Sequence, residues 1–200
     1  MSYRRPVFRR ASLFAAGAAV AALTLSACGD GGTQGGSGNT NFVTGKNGIA
    51  SLDKSERVAA PKLEGKSLDG KPLSLDDYQG KIVVLNVWGS WCGPCRVETP
   101  YLVKVAKELK PKGVEFVGIN TRDFNKGPAV KFEEEHGVEY PSFYDPSGKL
   151  ILQFPKGSLA PQQIPSTIVI DRDGKLAARA LQAVNDKQLH QMIDPLLAEK

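Results

Sequence analysis

The chain has 200 residues, of which 41% are hydrophobic and 24% are charged, a composition that fits one globular domain with extra segments attached. It excludes a collagen, a wholly disordered chain and a multispan membrane protein. The formal charge of +5 suggests nucleic acid or an acidic membrane surface as a binding partner. Three cysteines are too few for a small domain held together mainly by disulfide bonds.

The N-terminus has the layout of a secretory signal peptide. An uncharged run that ends at Ala27 contains an apolar core shorter than the about 20 residues needed to span a bilayer. The run is preceded by four arginines, Arg4, Arg5, Arg9 and Arg10. We predict that this leader, residues 1–27, is removed during export, with a permanent anchor helix as the alternative and the general or twin-arginine route left open. The rest of the chain holds 22 basic and 21 acidic residues, so the support for a nucleic-acid partner is lost.

The end of the leader predicts a lipid anchor. Leu25-Ser26-Ala27-Cys28 resembles the lipobox of bacterial lipoproteins, and this resemblance implies that Cys28 is a lipid attachment site at the new N-terminus. Eight of the next twenty residues are glycine, and such a segment cannot bury enough apolar surface to order itself. We therefore predict a lipid-anchored flexible tether over residues 28–57, which holds the domain at the outer face of the bacterial cell membrane.

The folded domain is predicted to cover residues 58–200. The Asp69-Gly70 dipeptide lies between two short candidate strands and indicates a β-hairpin, because glycine tolerates the positive φ of a tight turn. Strands alternate with helices farther along, which predicts an α/β domain with a largely parallel sheet. In chain order we expect a strand over 81–88, a helix over 97–109, a strand over 114–120, a helix over 128–136, strands over 166–171 and 175–180, and a closing helix over 186–199. The last two strands are expected to form a hairpin with Asp173-Gly174 in its turn.

The chemical centre of the sequence is the motif Trp91-Cys92-Gly93-Pro94-Cys95, which follows the first buried strand and opens a helix. A cysteine at a helix N-terminus has its thiolate stabilised by unpaired backbone N–H groups and the helix dipole. Cys92 is therefore the expected nucleophile. Cys95, one turn later, is placed to attack the mixed disulfide that forms, and Pro94 is tolerated because first-turn N–H groups have no intrahelical acceptor.

The CxxC pair has three other interpretations. Structural zinc usually has four Cys or His ligands, and this domain offers two cysteines and two distant histidines, so we expect no metal. A peroxiredoxin would need its catalytic cysteine in a Thr-x-x-Cys pocket, but Gly89 stands at that position. A nonredox tethered binding module stays open, and its function would survive replacement of Cys92 by serine.

Over residues 58–200 these motifs resemble the thioredoxin fold, and most closely the exported ResA/TlpA-like branch of thiol–disulfide oxidoreductases. WCGPC matches the thioredoxin active-site sequence, Asn86 and Glu98 match positions of the exported branch, and Pro100 matches its helix-kink proline. The resemblance implies a central mixed sheet flanked by helices with an N-terminal β-hairpin extension. It also implies that Glu98 exchanges the proton of Cys95, the alternative being a solvated first-turn glutamate, while Asn86 supplies hydrogen bonds beneath the site.

The same resemblance predicts the substrate surface. Ile164-Pro165 directly precedes a predicted strand, where the thioredoxin fold has a cis-proline that faces the CxxC motif. The backbone of Ile164 would then pair with an extended substrate, and Trp91 would shield the dithiol. Five further side chains, or groups of them, are interpreted as packing or solvated groups: Trp88, Arg96, the Glu133-Glu134-Glu135 run, His136 and His190.

We therefore expect a lipid-anchored, extracytoplasmic thiol–disulfide oxidoreductase that needs no cofactor beyond its Cys92–Cys95 pair. The Gly-Pro dipeptide between the cysteines resembles that of reducing thioredoxin, so reduction of exported proteins is the expected direction. This branch implies a membrane-embedded electron donor, and its substrates include the haem-binding thiols of apocytochromes c. A disulfide-forming oxidase and a peroxidase-type antioxidant are the alternatives on the same fold.

Overall fold

A central sheet and a separate hairpin contain all the strands in the part of the chain that this computed structural model describes, residues 40–45 and 47–199. In chain order the strands are β1 (Ile49–Ser51), β2 (Glu64–Lys66), β3 (Pro72–Ser74), β4 (Ile82–Trp88), β5 (Val114–Thr121), β6 (Ser142–Asp145), β7 (Ser166–Ile170) and β8 (Leu176–Ala180). The helices are α1 (Gly93–Leu109), α2 (Lys126–His136) and α3 (Asp186–Ala198).

The sheet has the order β1-β8-β7-β4-β5-β6 and is mixed. β4 pairs in parallel with β5, and β5 with β6, whereas the pairings of β4 with β7, β7 with β8 and β8 with β1 are antiparallel. A mixed sheet flanked by helices is confirmed, but the largely parallel sheet that the alternation suggested is wrong. The antiparallel direction of β7 is the difference, and no α-helix in the fully described segment between β6 and β7 provides a crossover to a parallel strand. The predicted hairpin of the last two strands is confirmed, with Gly174 at a φ of 73° in its turn.

The central position of β4 explains its composition. Each of its seven residues is buried, because β5 and β7 pair with its two edges and side chains pack on both faces. On one face, apolar residues of α1 and α3 complete a core with the sheet. The other face is covered by the hairpin, by the segment around 150–154 and by Phe42. β4 therefore gives the motif at its carboxyl end a rigid support.

The β2–β3 pair is the predicted hairpin. Glu64 pairs with Ser74 and Lys66 with Pro72, and Gly70 has a φ of 87° in the turn between the strands. A residue with a side chain is strained in that conformation. Leu63 and Leu73 are buried in the core against the sheet, so the hairpin packs over one face of the domain.

The described fold begins earlier than the predicted boundary near Val58. Ile49–Ser51 form an edge strand against β8, and the Phe42 ring is buried. Residues 40–57 belong to the predicted tether because the glycine-rich stretch of 29–48 leads into them, and a three-residue strand is too short to give a clear alternation. The leader and Cys28 lie outside the described residues.

Arg57 links this N-terminal segment to the residue that follows β7 and to the C-terminal end of the chain through ion pairs. Its buried guanidinium donates to Asp171 Oδ2 at 3.0 Å and to both carboxylate oxygens of Glu199, at 2.7 and 2.6 Å. These carboxylates raise the pKa of Arg57, and the guanidinium lowers that of Glu199. The residue predicted to end the tether is therefore part of the folded structure.

We expect Arg57→Ala to lower the free energy of unfolding by about 3 kcal/mol, because it leaves the buried Asp171 carboxylate without its cation. Urea unfolding at neutral pH measures the loss. Lys54→Ala is the matched control, since the Lys54–Asp173 pair is exposed and should change stability by less than about 0.5 kcal/mol. If both variants lost the same small amount of unfolding free energy, the structural role of Arg57 would be contradicted.

Candidate active site

The two cysteines of the motif lie at the N-terminus of α1, joined by a disulfide bond. Cys92 is the N-cap residue, and its Sγ accepts a hydrogen bond from the backbone N–H of Cys95 at 3.2 Å. Both side chains are buried. In the reduced protein the same N–H and the helix dipole would stabilise a Cys92 thiolate.

Glu98 lies one helical turn after Cys95 and is almost fully buried, with 1% of its surface exposed. Its Oε1 accepts from the Asn86 side-chain amide at 2.8 Å, and its Oε2 accepts from the Val184 backbone N–H at 3.0 Å. Burial raises the pKa of Glu98 to about 7, against the opposing effect of these two hydrogen bonds. The solvated alternative for Glu98 is wrong, and the carboxyl group can gain or lose a proton near neutral pH.

Asn86 links three elements beneath the motif. From β4 its amide donates to Glu98 on α1 and, at 3.2 Å, to the Thr167 hydroxyl on β7. Asn86 has no ionisable proton, so it holds the carboxyl group in place while Glu98 titrates.

Thr167 in turn follows the loop predicted to meet the substrate. The Ile164–Pro165 peptide bond is cis, and Ile164 packs against the cluster that contains Cys92 and Cys95. The structure therefore brings together the disulfide, Glu98 and the proline loop, although the loop lies far from the motif in the sequence. That this loop pairs with a substrate backbone stays a prediction.

The aromatic residues of the motif differ in exposure. Trp91 is 51% exposed, and the Arg122 guanidinium lies over its ring at 5.2 Å. Trp88 is buried and stacks on Phe132 of α2 with ring centroids 4.7 Å apart. Trp88 is thus a packing residue, whereas Trp91 leaves a large apolar surface beside the disulfide. That a substrate contacts Trp91 stays a prediction.

A buried aspartate that the sequence interpretation missed shapes the turn before Cys92. The Asp123 carboxylate accepts from the Ser90 backbone N–H at 2.8 Å and from its hydroxyl, and also from the Asn120 amide at 2.7 Å. Its place just after β5 was the available signal, because the carboxyl ends of the adjacent parallel strands β4 and β5 meet at one edge. Asp123 positions the turn that presents the disulfide.

The Glu133-Glu134-Glu135 run is not uniformly solvated, contrary to prediction. Glu134 and Glu135 are exposed, but Glu133 is half-buried, and burial raises its pKa to about 7. Phe132 packs inward on Trp88, which turns the neighbouring Glu133 toward β6.

Neither histidine is hydrogen-bonded to Cys92, Cys95 or Glu98 in the described structure. His136 stacks on the Phe132 ring, and His190 bonds to Asp194 on α3. Both are therefore packing or surface residues, as the sequence predicts.

Within residues 40–45 and 47–199, no group of three or more His, Cys, Asp or Glu side chains is placed to hold a metal ion. Nor is any helix in that part of the chain both long and apolar enough to cross a membrane.

Known proteins resemble this chain in sequence and in architecture. A family model described as Redoxin matches residues 54–193. The chain belongs to the Redoxin family. This Redoxin protein is 34% identical to the thiol–disulfide oxidoreductase ResA of Bacillus thuringiensis (strain Al Hakam) over 131 residues, 65% of this chain and 72% of the relative. The identity to ResA of Bacillus subtilis (strain 168) is 31% over 136 residues, 68% of this chain and 73% of the relative.

Two solved structures resemble the Redoxin domain closely. A DsbF homologue from Corynebacterium diphtheriae has a TM-score of 0.72 and 38% identity, and the match covers 78% of this chain and 98% of that one. A secreted thiol–disulfide isomerase from Corynebacterium glutamicum has a TM-score of 0.73 and 33% identity, covering 81% and 99%. The chain is a thioredoxin-like thiol–disulfide oxidoreductase of the ResA/TlpA-like type, and the Cys92–Cys95 disulfide agrees with that activity.

Proposed function

We propose that this enzyme reduces disulfides in exported proteins, with Glu98 as the proton acceptor for Cys95. The observation that supports the proposal is the buried Glu98 carboxyl group, held by Asn86 and Val184 one turn after Cys95 with its pKa raised to about 7. Residues three apart on a helix share a face, and both side chains are buried. The resolving cysteine thus has a base available near neutral pH.

The reaction balances with the residues of this site. The Cys92 thiolate attacks one sulfur of the substrate disulfide, forms a mixed disulfide and releases the other sulfur as a thiolate. Glu98 accepts the proton of the Cys95 thiol, and the Cys95 thiolate then attacks Cys92 Sγ. This attack forms the Cys92–Cys95 disulfide and releases the second substrate sulfur. Two electrons pass to the substrate, and an external dithiol must restore the enzyme.

The reduction potential tests the direction of this reaction. We expect the purified protein, equilibrated with glutathione buffers, to have a potential near that of thioredoxin, about −270 mV, because Gly93 and Pro94 separate the cysteines in the same way. A potential above about −150 mV would overturn the reductant assignment and favour a disulfide-forming oxidase. Turnover of hydrogen peroxide faster than that of disulfides would instead favour the antioxidant alternative.

The proposed setting is the outer face of the bacterial cell membrane. The lipobox-like sequence that ends at Cys28 supports lipid attachment, and one solved relative is described as secreted. A reductase there would receive electrons from a membrane-embedded dithiol partner. We propose the CxxCH haem-binding thiols of apocytochromes c as one substrate class, on the strength of the similarity to the ResA/TlpA-like branch.

A further inference from the structure

A cavity of about 490 Å³ lies beside the segment that leads into the proline loop. One of its walls is formed by residues from 157–163, which directly precede Ile164. Its other walls include Thr44, Arg179 and Gln182. No Asp or Glu lines this cavity, so Arg179 is the only charged side chain among its described lining residues.

Arg179 is buried with few polar partners. It lies on β8 between Ala50 of β1 and Ile168 of β7, and 4% of its surface is exposed. Its Nη1 donates to the Ser158 carbonyl at 3.2 Å, and its guanidinium stacks over the Phe42 ring at 4.8 Å. Among the described residues, Nε has no hydrogen-bond partner and no carboxylate lies within ion-pair distance.

Arg57 provides an internal comparison. Its side chain is buried like that of Arg179, but it forms ion pairs with Asp171 and Glu199. Burial of a guanidinium is costly unless an anion accompanies it, and desolvation accordingly lowers the pKa of Arg179. A guanidinium nevertheless stays charged in a protein and matches a carboxylate with paired N–H donors. Arg179 thus has the chemistry of an anion-binding group that opens onto a cavity.

We propose that Arg179 and this cavity form a subsite for a carboxylate of the polypeptide substrate, an Asp or Glu side chain a few residues from the reacting cysteine. The inference rests on the proposed function. A polypeptide is the occupant because the cavity wall continues directly into Ile164, which packs against the cysteine cluster. An extended chain that lies along this loop therefore passes both the cavity and the disulfide.

The test uses pairs of disulfide peptides that are identical except for a single Glu or Gln, placed in turn at each position flanking the reacting cysteine. At constant ionic strength, the full-length protein should reduce the best Glu peptide with about tenfold higher kcat/KM than its Gln partner. A hydrogen bond between charged groups strengthens binding by about that factor. Arg179→Met should bring this ratio close to one.

A second variant protects the test against a folding defect of Arg179→Met. Gln163→Glu keeps Arg179 and places a carboxylate on the cavity wall, where it should compete with the substrate and lower the Glu-to-Gln ratio. Gln162→Glu is the matched control, since it adds the same charge one residue away at an exposed position outside the lining. The Gln162→Glu variant should retain most of the wild-type Glu-to-Gln ratio of kcat/KM.

The outcomes separate this inference from the proposed function. If no peptide of either kind is reduced, the proposed function fails and the subsite fails with it. If Gln and Glu peptides are reduced equally at every position, the reductase assignment stands and the subsite is overturned. If acetate binds in an Arg179-dependent way but the peptides show no preference, the polypeptide assignment is overturned in favour of a free carboxylate.

Discussion

Replacing Cys92 with serine should lower disulfide reduction by a factor on the order of 10³ or more, because a hydroxyl cannot supply the thiolate that attacks the substrate. The assay is turnover of a disulfide protein or peptide with an external dithiol as electron source. Cys92 Sγ accepts the Cys95 N–H at the start of α1, and serine keeps an acceptor there. The loss should therefore be chemical, with the thermal unfolding midpoint of the reduced protein nearly unchanged.

Cys95→Ala provides the complementary result. Without the resolving thiol, Cys92 should stay bonded to its substrate, and the mixed disulfide should be visible on nonreducing gels. Cys28→Ser is the matched control among the three cysteines, because it should keep full reductase activity while the protein leaves the membrane fraction. An active Cys92→Ser variant would contradict the oxidoreductase mechanism and favour a nonredox binding module.

Glu98→Gln should slow the release of the mixed disulfide by about 100-fold, the contribution expected of a general base. Rapid mixing of reduced enzyme with excess substrate isolates this second step from the first. The pKa of Glu98 is raised to about 7 by burial, so in the wild-type protein the carboxylate is lost as the pH falls through that value. The rate of release should decrease about tenfold per pH unit on the acid side.

The variant should lack this dependence on pH around 7. Glu133→Gln is a strict control, since burial raises the pKa of Glu133 to about 7 as well, but Glu133 lies on α2 beside β6. Its replacement should leave both the rate and the pH profile unchanged. The proposed role of Glu98 would be contradicted if Glu98→Gln kept the wild-type pH dependence of mixed-disulfide release, or if Glu133→Gln changed that dependence equally.

Long and strongly patterned elements could be predicted from the sequence. The apolar run of β4, the Asp69-Gly70 turn and the spacing in α1 each fix local structure by themselves. β1 and β6 could not be predicted, because strands of three and four residues gain their stability from β8 and β5 and not from their own pattern. Short elements of this kind depend on contacts that only the folded chain provides.

The active site likewise contains residues whose positions the sequence predicts and residues whose positions it does not. Cys92, Cys95 and Glu98 lie within two turns of one helix, so their spacing alone predicted their proximity. Helix spacing gave no such signal for Asp123 or Arg179, because their environments are created by strands that are distant in sequence. Asp123 had only its position just after β5 to indicate it. A charged residue in a strand has an exposed side chain in most proteins, and only the packing of Phe42 and Ser158 reveals that Arg179 is buried.

The position of β1 has a mechanical consequence. Tension on the chain N-terminal to Thr40 would first meet the buried side chains of Thr40 and Phe42. It would then reach the edge strand β1, where three residue pairs with β8 and the Arg57 ion pairs resist it. Two strands, β8 and β7, separate that edge from β4, which supports the cysteines. If the domain is held at a membrane, as we propose, it could therefore be pulled by its N-terminal segment, and even lose its outermost strand, before the load reached the redox centre.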